Sequence, residues 1–307
     1  MLNSQPDLKA GPIMENVKKV AVVTGSNKGI GLSTVRALCK EFQGDVYLTS
    51  RNVNRGNTAL KVLQNEGLSL KYHQLDIEDL DSIQKLHDFM LENYGGVDVL
   101  VNNAGVAFNM FDSTPVAKQA EVTMNVNFFG TLNVCKILLP IMKSGGRVVN
   151  VSSKLAHMHL PKCSMDLQKQ FCSASISINT LCGLMRQYVD SVKKGTTLIE
   201  GFSNSAYAIS KIGVVVLSRI YADLMQREGK TDILVNACSP GLVRTDMTAP
   251  NLAGKILMWF IARTPDQGAE TPVYLATLPP GTSHPNGEFV RDKAILPWVT
   301  TPTETSL

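Results

Sequence analysis

Along this chain short apolar runs alternate with longer stretches whose apolar residues return every third or fourth position. Residues 20–24 (VAVVT), 45–50 (DVYLTS), 70–74, 97–101 (VDVLV), 147–152 (RVVNVS) and 233–237 (ILVNA) are rich in β-branched side chains and read as strands. The stretches between them carry helical periodicity, beginning with 30–42, and a short last strand is expected at 288–290. Strands separated by helices imply parallel pairing, and a parallel sheet needs cover on both faces. The expected fold class is therefore α/β, a doubly wound parallel sheet in a single domain. Its expected extent is 17–307. Residues 1–16 mix polar residues with Pro and Gly without periodicity and are expected to form a loose arm.

The rhythm breaks once. Between about residues 154 and 202 no strand–helix pair is legible, and the segment reads as a helical insertion. Inside it Leu181, Leu184, Met185, Tyr188, Val189 and Val192 recur at three- and four-residue spacing. That spacing predicts an amphipathic helix whose apolar face needs a partner surface.

Composition narrows the function classes. With 307 residues, 44% apolar and 18% charged, the chain has the usage of a folded domain rather than a disordered one. A net charge of +4 is mild and its cations are scattered, which argues against a nucleic-acid partner. The six cysteines form no C-x-x-C pair and stand at no zinc-ligand spacing from a His, so reduced thiols and no metal are expected. There is no apolar leader and no unbroken apolar run of about 18 residues, so stable membrane insertion is not expected and the cytosol is the expected compartment. The run 256–262 (ILMWFIA) is too short to span a bilayer and reads as a buried helix or a pocket wall, with surface attachment the minor alternative.

The chemistry begins where the first strand ends. Gly25, Ser26, Asn27, Lys28, Gly29, Ile30 and Gly31 form a G-x-x-x-G-x-G loop that opens a helix. Glycines let a backbone approach a pyrophosphate, and the amides of a helix start face its charge, as in Rossmann-type dinucleotide sites. The second strand ends on Arg51, with Arg55 close behind, where an NAD site carries an acid. Guanidinium groups there, with Lys28, suit the 2′-phosphate of NADPH; the bland alternative is three solvated surface charges. Asn102-Asn103-Ala104-Gly105 and Ser152-Ser153 follow the fourth and fifth strands, at the carboxyl edge where open α/β sheets hold ligands. Tyr207 and Lys211 stand four apart on one helix, so they share a face. An ammonium near a phenol favours phenolate, which suits a phenol used in proton transfer. Alone, the pair also fits a packed Tyr beside a solvated Lys.

The ordered series of glycine loop, Asn-Asn-Ala-Gly, Asn127, Ser153, Tyr207/Lys211 and Pro240-Gly241 resembles the short-chain dehydrogenase/reductase family over residues 18 to about 292. Strings such as GSNKGIGL, GRVVNVSS and GAETPVYLA resemble its NADPH-dependent carbonyl-reducing subgroup. The resemblance implies Tyr207 as general acid, Ser153 as the hydroxyl holding the substrate oxygen, Lys211 as the group lowering the Tyr pKa and binding ribose, and Asn127 as the holder of a relay water. Ser152 is the fallback for Ser153. It implies Asp76 and Ile77 beside adenine, Asn103 and Gly105 at the middle of the cofactor, and Pro240, Gly241, Val243 and Thr245 at the carboxamide. It further implies a monomer, because the insertion covers a surface used elsewhere for assembly. Glutathione adducts are an implied ligand through Val106, Ala107 and Phe108, and Leu242 and Met247 stand on the substrate side.

Departures bear on the substrate. The subgroup usually carries Trp where this chain has Leu242, so stacking on flat aromatic ketones and quinones should weaken. Lys154 and Leu155 follow Ser153 where apolar residues are commoner. The segment 247–268 is longer than in the resembled proteins and is expected either to lid the substrate, with Trp259 and Phe260 as a replacement wall, or to form a surface helix. Cys238 reads as inert packing or a modifiable thiol. The expected function is NADPH-dependent reduction of small ketones, aldehydes, quinones or lipid carbonyls. The alternatives are an alcohol or hydroxysteroid dehydrogenase using the same residues, and a cofactor-binding regulator without turnover.

Overall fold

A computed structural model describes residues 18–109, 112–244 and 262–298. The arm at 1–16 and most of the 247–268 segment, with Thr245, Met247, Trp259 and Phe260, lie outside the described residues.

The strands are β1 (Val20–Val23), β2 (Asp45–Ser50), β3 (Lys71–Gln74), β4 (Val97–Asn102), β5 (Met142–Val151), β6 (Leu234–Ser239), β7 (Phe289–Arg291) and β8 (Ala294–Ile295). They form one sheet in the order β3-β2-β1-β4-β5-β6-β7-β8, parallel except for the last pair. Order reverses between β1 and β4, which is where an open α/β sheet opens a crevice. Two differences from expectation have local causes. β5 begins five residues before Arg147, because it continues through Gly145 and Gly146 with a register break opposite Val97/Val99, where the glycines alone suggested a turn. The strand β8 is two exposed residues beyond a left-handed Asp292-Lys293 turn, too short to leave a pattern.

Alternation along the strands explains the two layers. Val20 and Val22 join a core with Leu100, Val148, Val235 and Ala237, whereas Ala21 and Val23 join a second core with Val99, Val101, Val149 and Cys238. Successive strand side chains point to opposite faces, so both faces are dry. The second core is roofed by α1 (Gly29–Glu41), α2 (Val53–Asn65) and α10 (Pro265–Ala276). The first is roofed by α3 (Leu80–Tyr94), α4 (Val116–Met124), a π-helical turn Asn125–Gly130, α5 (Thr131–Leu138) and α9 (Ala206–Arg227).

The helical run from Val116 to Ile141 is, by length and composition, long and apolar enough to cross a membrane, with a mean hydropathy of 1.2 over its best window. No unbroken apolar run marks it in the sequence. Two-thirds of that window (67%) is buried inside the fold, as expected of a core helix.

The insertion holds more helix than its pattern shows. Beside the expected helix, α8 (Ile178–Lys194), stand α6 (Lys154–His159) and α7 (Met165–Cys172). Leu181, Leu184, Met185 and Tyr188 of α8 are buried, and the helix packs on α4 and α9, the partner surface its apolar face required. The short α6 and α7 escape periodicity because helices of six and eight residues complete about two turns.

Arg147 is buried in the floor of the sheet and donates to the carbonyls of Gly145, Gly146, Asp232, Leu278 and Pro279 at 2.7–3.1 Å. A lysine cannot reproduce that fork of donors. Arg147→Lys is expected to lower unfolding stability by about 2–4 kcal/mol in urea titration, because buried carbonyls lose their partners.

Candidate functional site

The loop after β1 is built to bring backbone close to a ligand. Gly25 and Gly29 have φ of +59° and +57°, the left-handed region glycine enters without a Cβ penalty. A Cβ on Gly25 would lie 2.7 Å from the Ala104 Cα, and one on Gly31 would lie 2.7 Å from the Ser26 Cα. Lys28 stands at the N-cap of α1 and its side chain does not cap that helix start, whereas side chains cap α2, α3, α8 and α9. A helix start left in this way accepts a phosphate. Asn27, Gly29 and Ile30 are half-buried around it.

Two residues that sequence reasoning passed over hold the loop in place. Thr24 Oγ1 accepts the amides of Asn103 and Ala104, both at 3.0 Å, while Asn103 Nδ2 donates to the carbonyls of Thr24 and Gly25 at 3.0 Å. Ser26 Oγ donates to Val23 at 2.8 Å and accepts the Thr49 amide at 2.9 Å. These bonds tie β1 to β4 and β2 at the point where strand order reverses. Their only signal in the sequence is a small hydroxyl on each side of Gly25.

On the β2–β3 side, Arg51 is exposed at the end of β2 and lies 3.9 Å from Glu78, an acidic neighbour that was not anticipated. Asn52 caps α2 by accepting the Arg55 amide at 2.9 Å, which sets exposed Arg55 in the first turn. Asp76 is held by its own amide donating to Ser82 Oγ and by its Oδ1 accepting from Glu78. Ile77 is buried against Gly130, where a Cβ would come within 2.7 Å of its Cδ1. Arg51, Arg55, Asp76 and Ile77 thus stand at the same sheet edge as the glycine loop.

The reacting groups meet past β4, β5 and the start of α9. Ser205 caps α9 by accepting the Ala208 amide, so half-buried Tyr207 sits in the first turn. One turn on, Lys211 is 4% exposed; its Nζ lies 5.7 Å from the Tyr207 ring centroid and donates to the Val151 carbonyl at 2.8 Å. Burial pushes the ammonium down to about 8. Burial also pushes the Tyr207 phenol up, and the neighbouring Ser153 hydroxyl pulls it back. The lowering expected from Lys211 does not prevail, because burial of the phenol dominates its shift.

Ser152 and Ser153 differ in what they touch. Ser152 is buried and donates to the Lys211 carbonyl at 2.8 Å, whereas half-buried Ser153 stands beside Tyr207 and caps α6. Asn127 is fully buried in the π-helical turn. Its Oδ1 accepts the Val106 amide at 2.8 Å, and its Nδ2 donates to Val106 O and Ser210 Oγ, each at 3.0 Å. Ser210 in turn donates to the Tyr207 carbonyl at 2.8 Å, a link with no sequence signal beyond a hydroxyl inside the Tyr-x-x-x-Lys spacing. A Cβ on Gly105 would lie 3.1 Å from Asn127 Oδ1 and 3.5 Å from Lys211 Nζ.

On the remaining side, Val106, Ala107 and Phe108 are half-buried. Ser239 Oγ accepts the amides of Lys154 and Gly241, joining the Ser153 helix to the Pro240-Gly241 turn. Val243 is buried and bridges to Arg263, while Leu242 is exposed. Arg263 bonds the backbone of Leu242 and Arg244, closing the chain on both sides of 245–261. Cys238 is fully buried and its thiol is pushed up to about 12, which leaves it protonated and inert.

Because Gly31 faces fixed backbone, Gly31→Ala is expected to weaken NADPH binding at least about tenfold in calorimetric titration while the protein stays folded by circular dichroism.

Residues 19–165 match the model of the short chain dehydrogenase family. Carbonyl reductase [NADPH] 1 of Rattus norvegicus is 54% identical over 286 residues, 93% of this chain and 100% of that protein. The Homo sapiens protein of the same name is 54% identical over 280 residues, 91% of this chain and 98% of its own length. Among solved structures, salutaridine reductase from Papaver somniferum superposes with a TM-score of 0.76 at 26% identity, covering 90% of this chain and 100% of that one. Strand order, glycine loop and sequence similarity lead to one assignment: the chain belongs to the short-chain dehydrogenase family.

Proposed function

We propose that this protein reduces carbonyl compounds to alcohols with NADPH, with Tyr207 as the general acid. The observation that carries the reading is the meeting of Tyr207, Ser153, Lys211 and Asn127 at the open end of the glycine cradle. The names of the relatives, carbonyl reductases using NADPH at 54% identity, support it.

The cradle fits a dinucleotide: the backbone of Gly25, Gly29 and Gly31 would approach its phosphates, Arg51 and Arg55 would pair with the 2′-phosphate, Asp76 and Ile77 would flank adenine, and Asn103, Gly105, Pro240, Gly241 and Val243 would border its other half. When bound, NADPH supplies hydride to the carbonyl carbon. Ser153 donates a hydrogen bond that holds the substrate oxygen, and Tyr207 gives that oxygen its proton. The raised phenol keeps this proton at neutral pH until the oxygen takes it. Lys211, positively charged below about pH 8, stabilises the phenolate left behind and binds the nicotinamide ribose. Asn127, fixed by Val106 and Ser210, holds the water that returns a proton.

The substrate is a small-molecule carbonyl. The substrate range in this reading is ketones, aldehydes, quinones and lipid carbonyls, with weaker stacking on flat rings where Leu242 replaces an aromatic wall and with glutathione adducts held through Val106, Ala107 and Phe108. It extends to a cytosolic monomer, consistent with α8 covering α4 and α9 and with six free cysteines.

Tyr207→Phe is expected to lower kcat for menadione reduction about a thousandfold, followed by NADPH absorbance, while NADPH still binds; a rate matching wild type would sink the mechanism. The wild-type rate is expected to hold between about pH 6 and 7 and to fall as pH rises through about 8, since Lys211 there loses the charge that stabilises phenolate. A rate that climbs across that window would contradict the role given to Lys211.

A further inference from the structure

Ser153 and Tyr207 lie at opposite ends of the insertion, so something must set their separation. On the Ser153 side α6 packs on α9, with Leu160 buried just beyond its end. Within α6 only Ala156 is buried, while Leu155 and Met158 are exposed. The far end of α6 is also held by a polar contact: His159 Nδ1 and Ser203 Oγ share a hydrogen bond of 2.6 Å across 44 residues of sequence. Ser203 is 3% exposed, and its carbonyl accepts the amide of Ser205, the residue that caps α9. His159 is itself held from below, where its carbonyl accepts the Cys163 thiol at 3.6 Å.

These bonds close a ring. Ser153 starts α6, His159 ends it, Ser203 receives His159, Ser205 caps α9, and Tyr207 in the first turn of α9 stands beside Ser153 again. A helix of six residues turns as one body, so a shift at His159 is carried to Ser153. We propose that His159 is a positioning residue for the carbonyl-reducing centre, fixing through Ser203 the distance between the Ser153 hydroxyl and the Tyr207 phenol. This inference rests on the function proposed above. His159 acts through α6 and Ser203. Misplacing a reacting group by an ångström is enough to slow a reaction markedly.

The test uses His159→Leu, Ser203→Ala, the double variant and His159→Asn, whose amide keeps a polar atom near the place of Nδ1. Two quantities are measured on the folded proteins: the Tyr207 titration, as phenolate absorbance with Tyr207→Phe as the blank, and kcat for menadione beside the Kd for NADPH. His159→Leu and Ser203→Ala are each expected to move the phenol titration to higher pH, because the Ser153 hydroxyl no longer steadies the phenolate. Each is also expected to lower kcat about tenfold with NADPH affinity within about twofold, and the double variant no further than either single one. His159→Asn is expected to recover most of both quantities.

A structural role alone would lower thermal stability and leave titration and kcat at their wild-type values, and that result overturns the proposal. So does a loss of kcat matched by an equal loss of NADPH affinity, additive effects in the double variant, or no recovery in His159→Asn. Should His159→Leu fail to fold, Ser203→Ala decides, since it removes one oxygen from a packed site. A shifted titration in a protein whose wild type never reduces a carbonyl would refute the proposed function and leave the positioning role standing.

Discussion

The sheet's burial on both faces governs everything else in this molecule. Strands β1, β4, β5 and β6 send alternate residues into two dry layers, and neither layer can hold a reacting group at reasonable cost. Polar chemistry is confined to the carboxyl ends of the strands, where backbone turns out of the sheet. There Thr24 and Asn103 bind β1 to β4, and the glycine loop, Ser153 and the Pro240-Gly241 turn gather along one edge.

Buried polar groups at this edge are held to one another. Lys211 donates to Val151, Ser152 to Lys211, Ser210 to Tyr207, and Asn127 to Val106 and Ser210. Each bond uses a group that would otherwise be costly to bury, and the set fixes rotamers that a looser site would sample. Desolvation then lowers Lys211 to about 8 and raises Tyr207, pushing the pKa values of the ammonium and the phenol apart.

The insertion contributes to this order from outside the sheet. Phe202 and Tyr188 meet edge to face at 5.5 Å and anchor the end of the insertion, so that the chain enters α9 from a fixed point. α8 covers α4 and α9, whose apolar faces would otherwise meet solvent or another chain. The same segment that interrupts the strand–helix rhythm therefore shapes both the site and the surface.

How much of this was legible follows from the range of the forces involved. Strand–helix alternation, the glycine loop and the Tyr207–Lys211 spacing are local patterns, so the sequence by itself determined the fold class, the sheet edge that carries chemistry and the residues gathered there. Between Ser152 and Ser153 the resemblance favoured the second; what each touches came only from tertiary structure, which turns Ser152 into the Lys211 carbonyl and leaves Ser153 beside the phenol. The roles of Thr24, Ser26, Ser210 and His159 were likewise invisible, because a small hydroxyl or an imidazole has no periodicity and acquires a partner only when distant segments meet. The direction of the Tyr207 shift belongs to the same class. A neighbouring lysine in sequence predicts a lowered phenol, but burial, which only the folded chain decides, pushes it the other way.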